Sequence, residues 1–325
     1  MTVSRVVNRE ASVRPATRDK VERAIAELGY VPNAAARNLA GRRHVGIALL
    51  HSNPSAAYLS EFLVGSLAGA AEVDARLDVE HWDGSGGPQE LARRLVDHRA
   101  DAVLVPPPLC DDGPLLEALV GAQVPFAQIA SGSPLPGVPA VSICDEDAAH
   151  AMTAHLVALG HRRIGFIAGD RNQTATALRL AGYERALREA GLTLSDALVA
   201  PGDFTYRSGF EAAEWLLSQT PRPTAIFASN DDMAAAVIAA AHRHRLEVPR
   251  DLSVCGFDDT AMARTVWPEI TTIRQPIAEM ARRATIRLVE TVRGKVTSNS
   301  SAPLHEIVDF ELVIRASDAA LPSEA

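Results

Sequence analysis

Thr2-Val3-Ser4-Arg5-Val6-Val7-Asn8, followed by Thr17-Arg18-Asp19-Lys20-Val21, Leu28-Gly29-Tyr30-Val31-Pro32-Asn33 and Ala36-Arg37-Asn38-Leu39-Ala40-Gly41, reads as a series of short helical segments in a fixed order. Val3, Val6 and Val7 share one helical face, and Ser4, Arg5 and Asn8 share the other. Thr17 is placed to cap a helix running from Arg18 to Leu28, with Gly29 ending it as the C′ residue. Pro32 and Asn33 then open a shorter stretch, Ala34 to Leu39. Residues 34 to 43 are rich in Ala and Arg and offer Leu39 almost nothing to be buried against, which separates it from an ordinary core leucine.

Outward from this head, the charge splits. Up to Arg43, nine Lys and Arg stand against four Asp and Glu, a net +5; the whole chain carries −8, so the remainder carries −13. A basic head on an acidic body is the layout of a polyanion clamp attached to a soluble sensor. A merely solvated basic tail would have the same composition, but not the same order of motifs. With 325 residues and 47% hydrophobic content, roughly two domains are expected. No apolar run approaches a membrane span, and no h-region follows a basic start, so the chain is expected in the cytoplasm. Cys110, Cys144 and Cys255 lie far apart, with no C-x-x-C or Cys/His cluster; they are expected to be free, buried or half-buried thiols, and neither metal nor cofactor is expected.

After Arg43 the pattern becomes alternating apolar strands and amphipathic helices. Strands are expected at Val45 to Leu50, Leu77 to His81, Ala102 to Val105, Phe126 to Ala130, Val138 to Ile143, Ile164 to Ala168, Ala225 to Ala228 and Leu252 to Phe257. Helices are expected at Tyr58 to Val73, Pro88 to Asp97, Asp147 to Leu159, Thr174 to Glu189, Tyr206 to Leu217 and Asp231 to Arg245. This alternation gives an α/β body of parallel sheets covered on both faces.

The order of head segments resembles the LacI/GalR family of bacterial transcription regulators. The resemblance implies that the first segment is the reading helix of a helix-turn-helix, the second a supporting helix, and the third a hinge helix that enters the minor groove. Leu39 would then wedge into the central base step from each of two subunits, which implies a homodimer on operator DNA. Thr2, Ser4, Arg5, Asn8, Asn33 and Leu39 are the DNA-binding candidates, and an arginine such as Arg5 can read a guanine edge with two donors. In the family pattern roughly 17 residues, holding the first helix and the turn, would precede Met1, so the headpiece reads as truncated. Residues 1–43 are therefore assigned as a partial all-α headpiece and hinge.

For the body, the resemblance implies a two-lobed, periplasmic-binding-protein-like arrangement. Its N-lobe is placed at 44–143 with 276–304 and its C-lobe at 144–275 with 305–325. The strand Phe310 to Arg315 matches the family's closing strand. The segment after it, Ala316 to Ala325, has no leucine heptads, so no tetramer-forming helix is expected.

Ligands in open α/β sheets bind beyond the carboxyl ends of the strands, and here those ends carry Asn230, Asp231, Asp258, Asp259 and Gln275. Carboxylates that accept from hydroxyls, and a guanidinium that donates to oxygens, are the chemistry of a polyol site. The resemblance implies effector contacts at Arg179, within Leu178-Arg179-Leu180-Ala181-Gly182-Tyr183, and at Asn230, Asp258 and Gln275, with Phe204 stacking on a sugar face. Loop Ser52 to Tyr58 would supply the apolar part, and Ser131 is placed where an acid can stand in the family. Taken one at a time, Asp258 as a turn carboxylate and Arg179 as a surface ion pair are the more ordinary explanations.

Other signals carry less. His242-Arg243-His244-Arg245 reads as cations favoured by a helix C-terminus. Gly84-Ser85-Gly86-Gly87 lacks the spacing and lysine of a phosphate loop. The pairs Asp231/Asp232 and Asp258/Asp259 are sequential residues that would not point at one reacting atom, and no catalytic motif appears, so no enzyme is expected. The function implied is a sugar-responsive repressor in which effector in the interlobe cleft changes operator affinity. The alternatives are a truncated sensor that does not bind DNA and a periplasmic-type solute-binding protein. Asp258→Ala or Arg179→Ala is expected to abolish the effector response with the fold intact.

Overall fold

Pro15 opens helix α1 (Pro15–Leu28) in the first of the two units, Met1–His44 and Val45–Ala325, into which the chain divides. The computed structural model describes residue 6 and residues 14–28, 44–294 and 304–321. Thr17, expected as the N-cap, lies inside the first turn of α1. The Arg14 carbonyl accepts from the backbone N of Thr17 (3.0 Å) and of Arg18 (3.1 Å), so the ladder starts earlier than expected. A proline at the first helical position has its φ pre-set and no N–H left to satisfy. Val6, from the expected apolar face, is buried. Thr2, Ser4, Arg5, Asn8, Asn33 and Leu39 lie outside the described residues, as do Val3, Val7 and Gly29.

The second unit is built on two six-stranded sheets. The first holds β1 (Val45–His51), β2 (Ala75–His81), β3 (Ala102–Val105), β4 (Phe126–Ile129), β5 (Ala140–Ser142) and β11 (His305–Ile307), in the order β11-β5-β4-β3-β1-β2. Every pairing in it is parallel. The second holds β6 (Ile164–Ile167), β7 (Val199–Ala200), β8 (Ala225–Ala228), β9 (Ser253–Asp258), β10 (Thr271–Arg274) and β12 (Glu311–Val313), in the order β12-β10-β9-β8-β6-β7. Here β12 alone runs antiparallel, against β10. Strands such as Ala-Val-Leu-Val in β3 and Ala-Ile-Phe-Ala in β8 are buried throughout because helices cover both faces. Edge strand β2 has no fully buried residue.

The covering helices are α2 (Ala56–Glu72), α3 (Gly87–Asp97), α4 (Gly113–Gly121), α5 (Asp145–Ala158), α6 (Thr174–Glu189), α7 (Tyr206–Leu217), α8 (Asp231–Arg243), α9 (Ala261–Thr265) and α10 (Ile277–Val292). Helix α10 lies so close to α2 that a Cβ on Gly65 would sit 1.9 Å from the Ala278 carbonyl oxygen. Helix α6 meets α5 in the same way, a Cβ on Gly182 falling 2.1 Å from the Glu146 carbonyl oxygen. Helix α8 stops at Arg243 rather than Arg245, which has turned to φ +59. At that end His244 meets Glu214 at 3.1 Å, so the basic cluster is paired locally as well as solvated.

The chain passes between the sheets three times, after β5, after β10 and between β11 and β12. The last crossing follows Ile307, whereas the expected boundary was at 304/305. His305–Ile307 pairs in parallel with Ala140–Ser142, and the His305 ring nitrogen Nε2 meets Ser142 Oγ at 2.8 Å, which fastens this short strand to the first sheet. Cys110 and Cys255 are free and buried, and Cys144 is free and half-buried. Among the described residues no helix is long and apolar enough to cross a membrane.

Candidate ligand-binding cleft

The loops that follow β1, β3 and β4 in the first sheet face those that follow β6, β7, β8 and β9 in the second, and β10 leads into the crossing at Gln275. Between them lies a narrow cleft. Arg179, Phe204, Asn230, Asp258 and Gln275, the five residues singled out from the sequence, all line it. Facing them are Asn53, Pro54, Ser55, Tyr58, Pro107 and Ala130.

Arg179 reaches the cleft from the second turn of α6, with its charge already matched. Its Nε donates to Asp145 Oδ1 (2.8 Å), its Nη1 donates to the Ser229 carbonyl (2.5 Å), and Asp258 Oδ1 lies 4.0 Å from Nη1. The guanidinium carbon is 3.6 Å from the centroid of the Phe257 ring, a cation–π contact. Burial pushes the Asp145 carboxyl up from its ordinary pKa, and Arg179 opposes that shift.

Asp258 ends β9 with φ +110, and Asp259 follows with φ +58. Two successive non-glycine residues in this region store of order 1–3 kcal/mol each, which the surroundings must over-determine. They do so with ions: Arg274 Nε donates to Asp259 Oδ2 at 2.7 Å and Arg315 pairs with Asp259 Oδ1. Gln275 Nε2 donates to Asp258 Oδ1. Burial pushes the Asp258 carboxyl up to about 7, against the pull of Arg179 and of the Gln275 hydrogen bond. Asp231 does not join Asp258 at the cleft wall. It is buried, accepts from Thr260 N (2.7 Å), Thr260 Oγ1 (3.1 Å) and Thr272 Oγ1 (2.7 Å), and is pushed well up by burial and then by the charge of Asp258.

Phe204 holds its ring in the cleft from a left-handed backbone position, φ +66. Asn230 fixes that turn, donating from Nδ2 to the Phe204 carbonyl (2.9 Å) while its Oδ1 caps α8 at Met233 N (2.9 Å). Asn230 thus lines the cleft and also supports its wall. The Phe204 ring lies directly over Gly169, where a Cβ would come within 2.0 Å of Cζ.

Two buried polar atoms on this lining have no hydrogen-bond partner, Tyr58 Oη and Gln275 Oε1. Burial, and next the charge of Asp258, raises the Tyr58 hydroxyl well above its ordinary pKa, so it stays a neutral donor and acceptor. A buried polar atom left unpaired costs on the order of 1–3 kcal/mol, which a bound partner can recover. Tyr58 was read from the sequence only as part of an apolar loop; the signal for it is its place one turn into a helix capped by Ser55 at the carboxyl end of β1. Ser131 does not line the cleft. Its hydroxyl donates to Asp111 Oδ1 (2.7 Å), and Ala130 takes the lining position.

A family model for bacterial regulatory proteins of the lacI family matches residues 1–33, and one for a periplasmic binding protein-like domain matches residues 153–317. The HTH-type transcriptional regulator CelR of Thermobifida fusca is 36% identical to this chain, covering 97% of it and 94% of the relative. The chain belongs to the LacI family of transcriptional regulators. Catabolite control protein A of Priestia megaterium is 34% identical, with 92% and 90% covered. Among solved structures, the CelR–cellobiose complex superimposes with a TM-score of 0.78 at 33% identity, over 97% of this chain and 94% of that one. The lac repressor dimer bound to operator and the anti-inducer ONPF gives 0.79 at 28% identity, over 98% and 95%. The periplasmic-binding-protein-like fold of this LacI-family chain therefore agrees in sequence and in structure.

Proposed function

We propose that this chain is a sugar-responsive, DNA-binding transcriptional repressor, a cytoplasmic homodimer without catalytic activity. Its effector occupies the cleft between an N-lobe built on the first sheet with α10 and a C-lobe built on the second. The observation that carries the sugar reading is a lining of hydroxyl-matching groups drawn from both sides of the cleft. Asp258, the unpaired Gln275 Oε1 and the unpaired Tyr58 hydroxyl stand beside the Phe204 ring in a single cleft. A pyranose offers alternating donors and acceptors along its edge and an apolar face for an aromatic ring, so each of these groups gains a partner. CelR, whose structure is solved as a complex with cellobiose, is similar to this chain over nearly its whole length.

Thr2, Ser4, Arg5, Asn8, Asn33 and Leu39 are the proposed operator contacts. The cleft acts on them through closure. Ligand bridging the loops of both lobes favours one lobe arrangement, and a tenfold change in operator affinity requires ~1.4 kcal/mol of difference between the two states. The test is to incubate the purified protein with sheared genomic DNA from its own cell, with and without a panel of neutral sugars, and to sequence the retained fragments. Retention of one short sequence that a single sugar abolishes or creates is the expected result. Retention that no sugar alters would overturn the sugar reading.

A further inference from the structure

Beside the cleft lies a second, more open recess, and the two share Gln173 as a lining residue. Three carboxylates that line this recess, Asp83, Asp112 and Asp170, come from loops of both sheets. Each spends one oxygen on a nearby backbone N–H, at Ser85 (2.9 Å), Leu115 (3.0 Å) and Asn172 (2.9 Å). Asp111 also lines the recess. Among the described residues that line either space, Arg179 is the one cation, and Asp145, Ser229 and Asp258 already surround its guanidinium.

We propose that this arrangement makes the cleft selective for an uncharged polyhydroxylated ligand and excludes phosphorylated or acidic sugars, an inference that rests on the effector site proposed above. An anion entering the recess meets these carboxylates within a Debye length, and among the described residues no cation lines it. At the inner wall it would be a second buried anion beside Asp258, with the only guanidinium already paired, and an uncompensated buried charge is strongly disfavoured. Hydrogen bonding points the same way. Gln275 Oε1 needs a donor, and a phosphate dianion or a carboxylate offers only acceptors, whereas a hydroxyl offers both. Burial raises the pKa of Asp258 itself, which is the same intolerance of negative charge seen from the protein's side.

The experiment is calorimetric titration of the full chain with matched pairs: D-glucose and D-glucose 6-phosphate, D-galactose and D-galacturonate, cellobiose and cellobionate, cytidine and cytidine 5′-phosphate. A neutral sugar is expected to bind, and its anionic partner to bind at least ~100-fold more weakly, a gap that narrows in high salt. The triple variant Asp83→Asn, Asp112→Asn, Asp170→Asn keeps the oxygen that each residue uses for its turn or cap, and is expected to narrow the gap at low salt without changing affinity for the neutral partner. Binding by cytidine but by no sugar would sink the sugar reading and leave charge exclusion standing. An anionic member that binds as tightly as its neutral parent overturns the inference whichever class it belongs to. So does the absence of binding by every neutral member.

Discussion

Arg179 Nε donates to Asp145 Oδ1 at 2.8 Å with the two side chains only 6% and 2% exposed, so the residue that best marks the cleft in sequence is also half of a buried ion pair. The pair joins the start of α5 to α6, two helices already in close contact at Gly182. Removing one member leaves the other charged in the interior, at a cost of about 3–5 kcal/mol. Arg179→Ala is therefore expected to lose stability as well as the effector response, contrary to the expectation of an intact fold. Urea unfolding of Arg179→Ala, Asp145→Ala and the double variant checks this. A double variant no less stable than either single one identifies the stranded charge as the cause, and Arg179→Ala with wild-type stability would refute the argument.

Asp258 gives a cleaner probe, because its carboxyl is pushed up to about 7 by burial. The ordinary aspartate value is about 4, so the folded chain binds an extra proton between the two values. Stability from this group is fully present below about pH 4 and is lost as the pH rises through about 7. Asp145 and Asp231 are displaced in the same direction by burial, so they add to the slope. Asp258→Asn is expected to flatten, without abolishing, the fall in urea midpoint between about pH 4 and 7. It is also expected to weaken sugar binding above pH 7, where the wild-type carboxylate accepts hydroxyls. An unchanged pH slope in this variant would show that Asp258 does not titrate there.

Legibility of the sequence followed burial. Strands Ala102–Val105 and Ala225–Ala228 were readable to the residue, since helices on both faces leave only apolar positions. Edge strand β2 begins two residues before the expected Leu77, with Ala75 and Arg76 paired to β1 but partly in solvent, and the polar three-residue β11 gave no apolar run at all. Asn230, Asp258 and Gln275 could be found because strand ends converge by topology, whereas Arg179 and Phe204 were legible only through the family resemblance. Their partners could not be found. Nothing local links Asp145 to Arg179 across 34 positions, and the Asp145-Glu146-Asp147 run reads as acids suited to a helix N-terminus. The double duty of Asn230, and the unpaired hydroxyl of Tyr58, are visible only once the side chains are placed.

Gly169 sets the position of the Phe204 ring. A Cβ there would meet Cζ at 2.0 Å and Cε2 at 2.3 Å, so the ring must move into the cleft or lift off it. Gly169→Ala is expected to cost about 1–3 kcal/mol of stability, as overpacking does, and to weaken effector binding by at least tenfold. The backbone of Phe204, held by Asn230, has little freedom to compensate. Titration of the variant with the wild-type effector decides the matter; unaltered affinity would mean that the ring does not touch the ligand.

Across the cleft mouth, Asp111 from the first sheet's side accepts from both the backbone N and Oγ1 of Thr174, each at 2.8 Å, at the start of α6 on the second sheet's side. Gly132 N donates to the same Thr174 Oγ1 at 2.7 Å, and Ser131 holds the other Asp111 oxygen. These bonds join loops of the first sheet's lobe to the first turn of α6 in the second sheet's lobe, so they tie the two lobes together. A carboxylate bonded at a helix N-terminus is worth up to ~2 kcal/mol in a partly buried setting. Asp111→Ala is expected to shift the ligand-free population toward an open form, seen as a larger radius of gyration in solution scattering. Effector affinity should fall about tenfold, because binding must then drive closure that the latch otherwise favours. Thr174→Val, which keeps the shape and removes the hydroxyl, is expected to show a smaller change of the same sign. Scattering curves identical to wild type for both variants would mean that closure is held elsewhere, and the contacts of α10 with α2 lie within one lobe and offer no substitute.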